Sequence, residues 1–384
     1  MHYFLTEEQQ MIVDICRQIV EERIKPQRAE MDENCIFPAE IIKEIGKSDL
    51  FRLFIPEQYG GMGGTGIFEV CLATEELSRG DLSVATTYAA SGLGFIPIIL
   101  LGSEEQKKKY LPQLASGEKL AAFGLTEPEA GSDVGAIRTK AVKDGDFYIL
   151  NGTKQWITNG GEADIYTVFT MTDPSKGARG ASAFIVEKGT KGFDFGKKEN
   201  KLGIRASATR ELIFTDCRVP KENLIAGEGM GFIAAMRTFD QSRPAVGAQA
   251  VGVAQAALEE AINYSKVRKQ FGASIASLQA IQHMLADMAT QIEAARALVY
   301  HAAKVIDSGE KNVSRLSAMS KLFASDVAMK VTTDAVQIFG GYGFMKEYPV
   351  EKMMRDAKIT QIYEGANQVL RNIIALDLIK RGVL

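Results

Sequence analysis

The chain has 384 residues, 46% of them hydrophobic and 24% charged, and its 45 basic against 48 acidic residues leave a formal charge of -3. That is more chain than one hydrophobic core usually serves, so two or three domains are expected, and the near-neutral balance carries no footprint for nucleic acid. Four cysteines (Cys16, Cys35, Cys71, Cys217) without a CxxC pair and three histidines (His2, His283, His301) without ligand spacing argue against a disulfide framework or a metal site.

Residues 1–118 read as helices with short breaks. Thr6 with Gln9 forms a capping-box signature, and Ile12, Cys16, Ile19, Val20 and Ile24 recur at helical spacing. Further helical runs cover 68–77, 83–101 and 103–114. The longest apolar stretch, 95–101, is broken by Pro97 and is too short for a membrane span; the start MHYFLTEEQQ lacks a basic segment followed by an apolar core. The expectation is a soluble, cytoplasmic protein of a prokaryote, or a mature chain. Gly61, Gly63 and Gly66 match GxGxxG, but Pro56 and Glu57 break the apolar run before them and helices follow where a second parallel strand should lie. A loop between helices is the better reading.

Residues 119–230 change to β-branched and aromatic runs (147–150, 165–172, 183–186, 211–214) separated by Gly, Asp, Asn and Pro, the texture of a β domain. From 231 to 384 the chain returns to long helices, broken at Gly272, near Gly309 and at Gly340-Gly341-Tyr342-Gly343, with a last helix at about 367–380. The fold class is mainly α with a central β domain.

Five segments carry chemistry. FGLTEPEAGSD (123–133) offers small and hydroxylated residues that let backbone N–H groups approach phosphate oxygens, or is an ordinary loop. WITNG (156–160) sets the single tryptophan beside a threonine, suited to stacking on a flat ring with a hydrogen bond to its edge, or to a core. RKQFG (268–272) presents a cation and an amide for a pyrophosphate, or a charge complementing a helix C-terminus. QIFGGYG (337–343) lets a ligand lie against backbone, or simply ends a helix. YEGANQ (363–368) places a carboxylate at a loop-to-helix joint, where a solvated charge is also common.

Taken together and in this order, the five segments resemble the acyl-CoA dehydrogenase family, as do EELSRGDLS (75–83), GSEEQKKKYLPQL (102–114), FDQSRPAVGAQAVGVAQAAL (239–258) and EYPVEKMMRDAKITQIYEG (347–365). Among its branches the chain is most similar to the short- and medium-chain dehydrogenases. The resemblance implies an N-terminal helical domain, a middle β-barrel-like domain and a C-terminal four-helix bundle. It implies FAD, an acyl-CoA substrate, a homotetramer and an electron-transferring flavoprotein as acceptor, with no nucleic acid or membrane partner. By motif match Phe123, Leu125, Thr126, Gly131 and Ser132 would contact the flavin and its phosphates, with Trp156 and Thr158 against the ring. Arg268, Gln270, Phe271, Gln279, Gln337 and Gly341 would hold the pyrophosphate and adenosine, partly across a subunit boundary, and Gln368 would close the adenine end. Ser132, Phe239, Asp240 and Arg243, with Tyr363 and Gly365 beside the base, would line the substrate channel.

In the implied reaction Glu364 takes the α-proton of the thioester and flavin N5 the β-hydride, giving the trans-2-enoyl-CoA. A carboxylate desolvated by a bound acyl chain should be less acidic than usual, as a general base at neutral pH requires. Relatives that carry the base on the FDQSR helix would have it where this chain has Ser242, and Ala366 replaces the Thr or Ser that usually follows YEG. On the helix at 83–94, Thr86, Ala89 and Ala90 are small where the acyl tail should end, no Arg or Lys is present for a dicarboxylate, and Tyr88 is expected to shorten the pocket. The alternatives are an enoyl-CoA reductase running in reverse, an acyl-CoA oxidase using oxygen, and a catalytically silent binding protein on the same fold.

Overall fold

The computed structural model describes residues 4–62 and 66–382. His2 and Gly63 lie outside the described residues. The flanks of Gly63 carry no βαβ unit: Leu50–Phe54 is a 3-10 helix, and the helix Ile67–Gly80 begins immediately after Gly66.

Local signals account for much of the N-terminal half. Thr6 and Gln9 form the reciprocal capping box of the helix Glu7–Ile19, whose Ile12, Val13, Cys16 and Ile19 are buried. Asp81 caps the helix Leu82–Leu101 through the Ser83 amide at 2.7 Å. One cap comes from far away. The Ile67 and Phe68 amides, at the start of Ile67–Gly80, each donate at 2.9 Å to the Asp307 carboxylate.

Two sequence expectations change at Leu82–Leu101. Pro97 does not interrupt it, and by length and composition these 20 residues suffice to cross a membrane. Its apolar character has a different cause, since most of the helix is buried between the N-terminal helices and the sheet. Residue Tyr88 is also re-assigned. Its ring packs against Phe51 and Phe54 and its hydroxyl donates to the Leu50 carbonyl at 2.8 Å, so it belongs to the N-terminal core and does not shorten a pocket.

The middle of the chain forms an eight-stranded sheet. Its path runs Phe193–Phe195, Thr209–Pro220, Phe147–Thr158, Lys140–Asp144, Ile165–Met171, Ala181–Glu187 and Leu224–Ile225, with Ala121–Gly124 parallel to Ile165–Met171. Among the described residues the two halves share one ladder pair, Lys140↔Met171, and enclose one core that includes Tyr148, Tyr166, Phe184, Phe193 and Phe214. This is the barrel-like closure of a folded-over sheet.

Beyond it, the helices Gly231–Val267, Gln279–Asp307, Ser314–Phe339 and Asn367–Arg381 pack as a bundle. Small residues bring the first of these close to the N-terminal helices. A Cβ on Gly252 would stand 2.2 Å from the Glu75 carbonyl oxygen. Buried charge closes the same seam: Arg296 pairs with Glu75 at 2.7 Å, and Lys352 pairs with Asp81 at 2.7 Å and Asp356 at 2.5 Å. Half-satisfied, such groups would cost several kcal/mol, roughly 3–5 by the usual measure of a broken buried pair, so they fix how the helical layers dock.

Candidate active site

A cleft of about 860 Å³ opens between the sheet and the C-terminal helices. Its walls include Leu125, Thr126, Gly131, Ser132, Trp156, Thr158, Phe239, Arg243, Tyr363, Glu364 and Gly365. A smaller chamber of about 120 Å³ lies inward, bounded by Thr86, Ala89, Ala90, Leu93, Phe123, Gln249, Tyr363 and Glu364. Glu364 borders both. Asp240 lies behind Arg243, 3.4 Å from its guanidinium.

The sheet side of the cleft is shaped by a buried ion pair that the sequence did not reveal. Lys154 is fully buried, and its ammonium donates to Glu127 Oε1 at 2.6 Å and to the Leu125 carbonyl at 3.0 Å. Glu127 also accepts from the Arg138 and Thr139 amides at 2.6 and 2.9 Å. Burial pulls the Lys154 ammonium down to about 8 even with Glu127 beside it. Burial also pushes the Glu127 carboxyl up, but Lys154 and the Thr139 and Arg138 donors outweigh it and hold the group below its ordinary value. The pair therefore ties 125–127 to the neighbouring strand and leaves Gly131 and Ser132 exposed on the lip, with nothing within 4 Å of where a Gly131 Cβ would be.

A bulge does the same for the tryptophan. The register of Phe147–Thr158 against Thr209–Pro220 slips between Lys154 and Ile157, and Trp156 takes a left-handed φ of 57°. Its indole is turned into the cleft, 59% exposed. Asn159 anchors the end of the motif by donating to the Thr87 carbonyl, Ser91 Oγ and the Ala121 carbonyl at 3.0, 3.1 and 3.3 Å.

Opposite stands the loop between the short turn Lys358–Gln361 and the helix Asn367–Arg381. Glu364 and Gly365 both have positive φ, 52° and 104°. A non-glycine residue held there costs of order 1–3 kcal/mol, so the surroundings must over-determine it. They do so from two helices. Arg243 Nε donates to the Glu364 carbonyl at 3.2 Å, and the buried Lys321 donates to the Gly365 carbonyl at 2.8 Å and to Asn367 Oδ1 at 3.0 Å. Burial brings Lys321 down to about 7, partly offset by Glu364. The Glu364 amide has no hydrogen-bond partner among the described residues and is free to donate to a ligand.

Burial raises the Glu364 carboxyl above its ordinary value, while Ser242, Arg243 and Lys321 moderate the rise. The Ser242 hydroxyl donates to Glu364 Oε2. Tyr363 donates to Gln249 Oε1 at 2.5 Å, and both side chains line the inner chamber. Lys321 carries no local sequence signal; Gln249, Glu127 and Asn159 lie inside the motifs, but nothing in residue type or spacing marks the partners each one holds.

Other expected cofactor residues lie elsewhere. Arg268, Gln270 and Gly341 line a separate concavity of about 470 Å³ between Gly231–Val267 and Ser314–Phe339. Phe271 is 94% exposed with φ 53°, and Gln279, Gln337 and Gln368 are exposed and line neither cavity. One chain thus does not bring these residues to the cleft of Glu364.

Models of the N-terminal, middle and C-terminal domains of acyl-CoA dehydrogenase match residues 6–118, 122–217 and 229–379. The chain is 47% identical over 383 residues to acryloyl-CoA reductase (NADH) of Anaerotignum propionicum, covering 99% of this chain and 97% of that one. Among solved structures it superimposes on butyryl-CoA dehydrogenase from Megasphaera elsdenii with TM-score 0.96, 48% identity and coverage of 99% and 100%. It superimposes equally, with TM-score 0.96, 52% identity and coverage of 99% and 100%, on a chain in a structure described as the electron transferring flavoprotein of Acidaminococcus fermentans.

Proposed function

The chain belongs to the acyl-CoA dehydrogenase family, and from that premise we propose that it carries out FAD-dependent α,β-dehydrogenation of a short, straight acyl-CoA with Glu364 as the base. One observation carries this reading: the half-buried Glu364 carboxylate stands where the long cleft meets the small inner chamber.

The cleft fits a flavin nucleotide. It has an exposed indole on one wall, hydroxyls at Thr126 and Thr158, and an open backbone edge at Gly131 and Ser132 for phosphate oxygens. Bound there, FAD supplies the acceptor for the β-hydride. The protein's own share is to place and ionise the base. Glu364 Oε1 is left to face the α C–H while Oε2 is held, and a carboxyl less acidic than usual is better matched to proton removal near neutral pH. The free Glu364 amide is a donor for the thioester oxygen as charge develops there.

Chain length follows from the inner chamber. Small side chains at Ala89 and Ala90 make room, and the Gln249–Tyr363 hydrogen bond ends it with a polar wall that disfavours a longer apolar tail. A butyryl group is the size class that suits it, as in the M. elsdenii relative. The exposed Phe271, Val267 and Phe344 around the separate concavity support a second copy covering that face, with Arg268, Gln270 and Gly341 completing the partner's cofactor site in a homotetramer. An electron-transferring flavoprotein is the acceptor favoured by the A. fermentans likeness. The A. propionicum likeness favours examining the reverse direction on the same site.

The test is anaerobic bleaching of the purified flavoprotein by a series of acyl-CoAs. Butyryl-CoA should bleach it fastest, and Glu364→Gln should keep flavin and ligand binding while losing the bleaching. Bleaching by no acyl-CoA, or full activity in Glu364→Gln, would remove the proposal.

A further inference from the structure

The sequence gives Ser242 only a negative role, as a residue that cannot act as a base. Its position in the structure is more specific. On the helix Gly231–Val267 it is buried, and its hydroxyl donates to one oxygen of the Glu364 carboxylate from 122 residues away in sequence. The next residue, Arg243, holds the Glu364 backbone carbonyl instead of the carboxylate. The division of labour is therefore built into one helical step: Arg243 fixes the main chain and Ser242 fixes the side chain.

We propose that Ser242 is a positioning residue for the base, orienting the Glu364 carboxylate so that one oxygen is held and the other faces the substrate, and favouring its ionised form. This deepens the proposed dehydrogenation and rests on it. Other charges face the same carboxylate. Arg243 and, behind it, Asp240 come from the same helix; Lys321, with Asp326 near it, comes from Ser314–Phe339; Tyr363 adjoins it on its own loop and is engaged by Gln249. Of these, only Ser242 has a hydrogen bond to the carboxylate among the described residues. Removing it leaves the cations in place and deletes one donor from the charged form, so the sign is determined: the carboxylate should become harder to ionise.

Two measurements on the FAD-loaded protein test this. In the first, the rate of anaerobic flavin reduction by butyryl-CoA is followed against pH. Ser242→Ala should move the acid limb upward by about one unit or more, with the rate recovering towards wild type at higher pH, and Ser242→Thr should restore the wild-type limb. An equal rate loss at every pH, an unmoved limb or a downward shift would overturn the proposal. In the second, the protonated-carboxyl infrared band is titrated in substrate-free protein, with Glu364→Gln as the blank. The Glu364 component should titrate higher in Ser242→Ala. If butyryl-CoA bleaches none of the proteins, wild type included, it is the reaction assignment that fails, while the infrared titration still decides whether Ser242 governs the ionisation of Glu364.

Discussion

Lys154→Met is the most informative perturbation of the scaffold. The substitution keeps most of the side-chain length but removes an ammonium that is fully buried, 2.6 Å from Glu127 and 3.0 Å from the Leu125 carbonyl. Glu127 remains buried with its two amide donors and no countercharge. Breaking a buried pair by removing one partner costs about 3–5 kcal/mol, much of it the penalty on the charge left behind. The loss should appear in urea denaturation as a lower midpoint, and in weaker FAD retention because 125–127 leads into the cleft wall. Adding Glu127→Gln should recover part of the loss, with a coupling of roughly 1 kcal/mol or more in the double-mutant cycle. A pH signature accompanies it. The folded Lys154 value, about 8, lies below the ordinary 10.5, so as pH falls from about 10.5 to about 8 the unfolded chain takes up a proton first and the folded state loses stability. Lys154→Met should lack that component. Strictly additive single substitutions, or a Lys154→Met protein as stable and as flavin-loaded as wild type, would refute the role given to the pair.

Ala366 sits at the N-cap of Asn367–Arg381 with extended backbone and no side-chain cap. Ala366→Ser should therefore stabilise by about 1 kcal/mol, read as a raised urea midpoint, and an unchanged or lowered midpoint would show that the hydroxyl does not reach the helix amides. Gln249→Ala should lengthen the inner chamber and shift kcat/KM towards hexanoyl- over butyryl-CoA by about tenfold or more; an unchanged preference would place the end of the acyl pocket elsewhere.

The parts of the fold set by local chemistry could be read from the chain: the Thr6 capping box, the helical runs and the β texture of the middle domain all reappear as elements. What escaped has a common physical character. Leu82–Leu101 continues through Pro97, and a helix buried on several sides shows no amphipathic stripe to reveal which face holds Tyr88. Helical spacing groups residues by face but cannot say that Tyr88 turns to the N-terminal core while Thr86, Ala89 and Ala90 turn to the chamber.

The candidate site extends this contrast between motif and context. Trp156, Glu364 and Arg243 stand out by residue type and motif, yet what makes each one usable is supplied by partners remote in sequence. The indole faces the cleft because a bulge against Thr209–Pro220 gives Trp156 a left-handed backbone. Glu364 keeps its left-handed backbone because Lys321 and Arg243 hold successive carbonyls of its loop from two different helices. Lys321 could not be recognised from its neighbours, since a lysine inside a helical run reads as a solvated charge until the fold buries it. A motif of six residues can point to the proposed base, but the position and ionisation of Glu364 belong to the bundle around it.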